Sequence, residues 1–151
     1  AGNVLHEGKY KPDSRELWQA ASEVNGVTPD NQMGLPSFFD DQLKIREIIW
    51  SADEVIVYNA QHVMRFLENN DAAPVSGARV TDTMYEYCRW LGEANHDPKC
   101  RTKVELADAA DRMGYARKNN LHGALPNALA CLAVQKWIER QQREEQLTSS
   151  L

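Results

Sequence analysis

The sequence predicts an α/β fold, with helices layered on a sheet. Three observations carry that prediction. Val55-Ile-Val-Tyr58 is a short, continuous, mostly β-branched run, the pattern of a strand covered on both faces. Stretches of helical period lie on either side of it. Arg79-Val-Thr81 supplies a second brief strand that feeds another helical stretch. Strands alternating with helices in this way indicate layered α/β packing.

Residues 3–10 alternate weakly and suit a strand leading to Pro12. Asp13 or Ser14 can then cap a helix in which Leu17, Ala20, Ala21 and Val24 recur at helical spacing, with Gly26 stopping it. Pro29 through Pro36, with Asp30, Asn31 and Gly34, is a connector. Ser37 caps a helix over Phe38 to Trp50, whose apolar positions 38, 39, 43, 45, 48 and 49 mostly share one face. Ala60 to Asn69 is helical, with Val63, Phe66 and Leu67 spaced to pack inward. Asp71-Ala-Ala-Pro-Val-Ser-Gly77 is a loop. Asp82 or Thr83 opens a helix through Met84, Tyr87, Cys88 and Leu91, broken at Asn95-His-Asp-Pro98. Thr102 caps a helix from Lys103 to Met113 that Gly114 ends. The last helix runs from about Ala124 to beyond Arg143, with Leu125, Leu129, Leu132, Ala133 and Ile138 on its apolar side. Thr148-Ser-Ser-Leu151 is expected to fray, so the domain spans 1–147 and 148–151 form a flexible tail.

At 151 residues and 42% apolar content, the chain has enough material to bury one domain's core. No apolar run is long enough to span a bilayer, and the first residues lack a basic-then-apolar signal pattern, so a soluble, cytoplasmic protein without membrane contact is expected. Cys88, Cys100 and Cys131 are odd in number and widely spaced, which fits reduced thiols, structural or incidental, better than a disulfide framework. The net charge of −5 gives no long-range field to gather phosphate backbones. Any nucleic-acid contact must therefore be local. The richest basic stretch is Arg112-Met-Gly-Tyr-Ala-Arg-Lys-Asn-Asn120, which reads on its charge pattern as a solvated loop between helices.

Two stretches carry a resemblance: Glu54-Val-Ile-Val-Tyr-Asn-Ala-Gln-His-Val-Met-Arg-Phe-Leu67 and Leu121-His-Gly-Ala-Leu-Pro-Asn-Ala128. They are similar to the second and third metal-site motifs of the DnaQ-like, DEDDh-type 3′–5′ exonucleases. Gly2-Asn-Val-Leu-His-Glu-Gly-Lys-Tyr-Lys-Pro12 resembles that family's third strand, and Val24-Asn-Gly-Val-Thr-Pro-Asp30 the short segment after it. Val80-Thr-Asp-Thr83 resembles the strand end that feeds its middle helix, and Leu106-Ala-Asp-Ala-Ala-Asp-Arg-Met-Gly114 the helix before its last motif. The resemblance covers almost the whole chain in the family's order. It implies a ribonuclease H-like three-layer exonuclease fold whose N-terminal strands, one bearing an Asp-x-Glu pair, are missing from this chain.

The resemblance also implies which site residues have changed. Where the family places a metal-binding Asp on the helix after its second motif, this chain has Val63. Where it places the last Asp, this chain has Asn127, while His122 retains the position of the general base. Two divalent cations need several carboxylates to neutralise them and to orient the attacking water. Val63 offers no oxygen and is expected to pack in the core, and Asn127 offers only a neutral carbonyl. His62 stands where the family carries an aromatic residue and is expected to pack. His96, Asp97 and Cys100 make a loose metal-like grouping that nothing nearby completes to the four ligands of a zinc site. Asn59 either hydrogen-bonds a nucleotide or closes its own turn.

The first function reading is a catalytically inactive exonuclease-like domain acting as a nucleic-acid-binding or protein-interaction module. In that reading Asn59, Arg112, Arg117 and Lys118 are left to hold a single strand weakly, and no cofactor is expected. The enzyme alternative is a metal-dependent 3′–5′ exonuclease whose first motif lies upstream. It would require Mg²⁺ or Mn²⁺, with Glu54, Glu68 or Asp82 recruited as ligands. A third reading is a structural or oligomerising subunit unrelated to nucleic acid. The missing strands leave a sheet edge that a partner protein, a homodimer contact or an N-terminal segment is expected to cover.

Overall fold

The computed structural model describes residues 2–11, 34–95, 104–115 and 123–149. Among them the chain forms α1 (Phe38–Trp50), β1 (Glu54–Val57), α2 (Ala60–Asn69), β2 (Arg79–Asp82), α3 (Thr83–Asn95), α4 (Leu106–Arg112) and α5 (Ala124–Ser149). The fold is mixed α/β, and the expected helix over residues 13–26 lies outside the described residues.

The crossover through α2 returns β2 parallel to β1, with Glu54 opposite Arg79, Val55 opposite Val80, Ile56 opposite Thr81 and Val57 opposite Asp82. Glu54 closes the start of this ladder. It accepts from Arg79 Nη2 at 2.7 Å and from Thr81 Oγ1 at 2.6 Å. The thinness of the sheet changes one expectation. The sequence predicts a β1 buried on both faces, yet only Val57 is buried and Val55 and Ile56 are half-buried, because among the described residues β1 has one neighbouring strand.

Most of the core lies between helices. Tyr87 of α3, Ala109 and Ala110 of α4, and Ala130, Val134 and Ile138 of α5 form one buried cluster. The alanines bring α4 close to α5, and the ridge 130, 134, 138 repeats every four residues along one face. Trp90 and Trp137 meet edge to face with centroids 4.6 Å apart, closing the cluster beside Tyr87. This ridge shares Ile138 with the expected stripe of Leu125, Leu129, Leu132, Ala133 and Ile138 but otherwise differs from it. Leu129 is exposed, while Cys131 and Gln135 are buried. α5 packs on α3, α4 and β1 together, so small and polar side chains that fit between helices displaced the leucines from the deepest positions.

Two other boundaries moved. α4 starts at Leu106 rather than Lys103, after Val104 has packed against the core and given its carbonyl to Tyr58. Gly114 ends it as expected, with φ +73, and its amide returns to Asp111 O at 3.0 Å. α5 stays helical through Ser149, where the expected fraying tail begins at Thr148. The hydroxyls of Thr148 and Ser149 bond back to the carbonyls of Glu144 and Glu145.

Residues 2–10 form no strand. Lys11 makes a single bridge to Ser37, its amide donating to Pro36 O, and Val4 and Leu5 are exposed. Tyr10 anchors this segment by donating to Asp41 Oδ2 at 2.9 Å and meeting the edge of Phe38. Truncating Ile138, which is fully buried, should cost about 2–5 kcal/mol in urea unfolding as Ile138→Ala. Leu147→Ala on the exposed end of the same helix should stay within about 0.5 kcal/mol of the parent.

Candidate functional site

Both strands of a parallel pair end on the same edge, and ligands of open α/β sheets bind outside that carboxyl edge. Here the edge holds the Tyr58-Asn59 turn into α2 and the Asp82-Thr83 step into α3. Asn59 sits at φ +64 and ψ +70, a left-handed conformation that Asn tolerates better than most residues. Its side chain makes no capping bond. Its carbonyl accepts from the amides of His62 and Val63 instead, so the backbone closes the turn.

The missing cap is supplied from across the sheet. Asp82 Oδ1 accepts from the Asn59 amide at 3.1 Å and Oδ2 accepts from the Ala60 amide at 2.8 Å. Oδ1 also accepts from Met84 at 3.0 Å and Tyr85 at 3.4 Å, which caps α3. One carboxylate thus serves the first turns of two helices, whose free amides and dipoles both favour an anion there. The cap on α3 was legible in the sequence. The reach to α2 was not, because it depends on the pairing of Val57 with Asp82.

Behind the edge, the contacts are polar but buried. Thr83 is fully buried and donates to Gln135 Oε1 at 3.0 Å, while Cys131 Sγ donates to Thr83 Oγ1 at 3.5 Å. Burial pushes the Cys131 thiol up, with the Thr83 hydroxyl opposing in part. Tyr58 donates to Val104 O at 2.6 Å. Burial raises its phenol well above the ordinary range, and the neighbouring Cys88 and Cys131 add to the shift. Tyr58 and Cys131 therefore stay neutral and structural at physiological pH.

The residues singled out in the sequence differ in their surroundings. Val63 is half-buried on α2, and His62 beside it is exposed rather than packed, because the inward face of this short helix is taken by Val63 and Leu67. Phe66, also expected inside, is half exposed and stands edge-on to Phe38. Asn127 is exposed in the first turn of α5, with its amide bonded to Gly123 O, and Arg112 is exposed at the end of α4. His122, Arg117, Lys118, His96, Asp97 and Cys100 lie outside the described residues.

The carboxylates considered as substitute ligands are otherwise engaged or distant. Asp82 holds the four amides. Glu54 is held below the usual carboxylate range by the Thr81 hydroxyl and the Arg79 guanidinium. Glu68 is exposed near the far end of α2. Among the described residues no group of three or more His, Cys, Asp or Glu side chains is placed to hold a metal ion. No family model matches the chain, and no curated protein or solved structure is significantly similar to it.

Removing the shared carboxylate tests this description. Asp82→Ala should destabilise the protein by about 2–3 kcal/mol in urea unfolding, more than one ordinary cap, because two helix starts lose their acceptor. Asp82→Asn, which keeps one acceptor oxygen, should fall between the two. A loss under about 0.5 kcal/mol for Asp82→Ala would show that the second helix gains nothing from it.

Proposed function

We propose that this chain is a catalytically inactive, exonuclease-like domain of ribonuclease H-like architecture that works as a binding module. The observation that supports this reading most is the occupation of the carboxyl edge by the fold's own anion. In a working two-metal site that edge must present free carboxylates to cations. In this chain Asp82 is spent on four backbone amides, and the positions that the resemblance assigns to metal ligands are Val63 and Asn127. An amide and an isopropyl group cannot neutralise two divalent cations.

Two surfaces are left for binding. The first is the edge of β1, which among the described residues pairs with β2 alone. Its remaining backbone groups suit addition of a strand from a partner protein, from a second copy or from an N-terminal segment of the same protein. The second is Asn59 with the cations Arg112, Arg117 and Lys118. A few Lys and Arg residues give weak, salt-sensitive and sequence-independent phosphate contacts, which the acidic balance of the chain weakens further.

Catalysis is tested by incubating the chain with labelled single-stranded DNA and RNA in Mg²⁺ or Mn²⁺. Release of mononucleotides should not exceed background, and Val63→Asp with Asn127→Asp should not restore it. Metal-dependent release abolished by His122→Ala would overturn the proposal. In low-salt titrations, single strands should bind at best with about micromolar Kd, at the tight end of the non-specific range. Arg117→Ala with Lys118→Ala should weaken that binding and flatten its salt dependence. Binding indifferent to both changes would leave protein interaction as the module's role.

Assembly is tested separately. Light scattering of the chain alone should show self-association, or uptake of an added β-strand peptide. A stable monomer over a wide concentration range that takes up no such peptide would remove the edge from the proposal.

A further inference from the structure

We draw no further inference here: the strongest candidate, the outward face of α1 on which Phe39, Leu43 and Trp50 are exposed, carries balanced charge from Asp40, Lys44, Arg46 and Glu47, and nothing in the structure shows what covers it.

Discussion

The Asp82 carboxylate joins parts of the chain that are far apart in sequence. A helix start leaves amide groups without intrahelical partners, and here two such starts meet at one side chain. The arrangement holds only in one register. With Val57 opposite Asp82, the amides of Asn59 and Ala60 come within hydrogen-bonding distance of the carboxylate, and a slip by one residue would turn Asp82 to the other face of the sheet. The register of the sheet, the left-handed turn at Asn59 and the starts of α2 and α3 are thus one interdependent unit.

That unit reaches the helical core through the next residue. Thr83 follows Asp82 directly and is fully buried against Gln135 and Cys131 of α5. A buried hydroxyl and a buried amide tolerate few arrangements, because each must find its partner or carry the cost of desolvation. The pair therefore sets how α3 lies along α5, while Tyr87, Val134 and Ile138 supply the apolar area that makes the packing favourable. α1 stands outside this chain of dependence. It is held at its margins by Tyr10, Asn70 and Ala73.

The same interaction bears on function. Two helix dipoles converging on the carboxyl edge of a parallel sheet favour an anion or a metal-bound phosphate at that point. When a side chain of the fold occupies it, the edge gains stability and loses room for a ligand of the same kind. Under the proposed reading, Asp82 closes the edge, the positions that the resemblance assigns to metal ligands carry Val63 and Asn127, and binding passes to other surfaces.

Local chemistry made much of the architecture readable. Ser37 and its capping box, the β-branched run of β1, the Asp82 cap on α3 and the glycine after α4 are each determined by a few adjacent residues, and so each was legible in order along the chain. What the sequence could not determine depends on which elements become neighbours. Leu129 and Cys131 are both compatible with the apolar side of α5, and only its packing between α3, α4 and β1 buried the thiol and left the leucine exposed. Residues 3–10 have a strand's pattern, but a strand exists only where a neighbour offers its backbone, and they have a single bridge at Lys11. Asp82 shows the division most plainly: its role in α3 follows from the residues next to it, whereas its role in α2 required a parallel strand to bring it beside a turn 23 residues away.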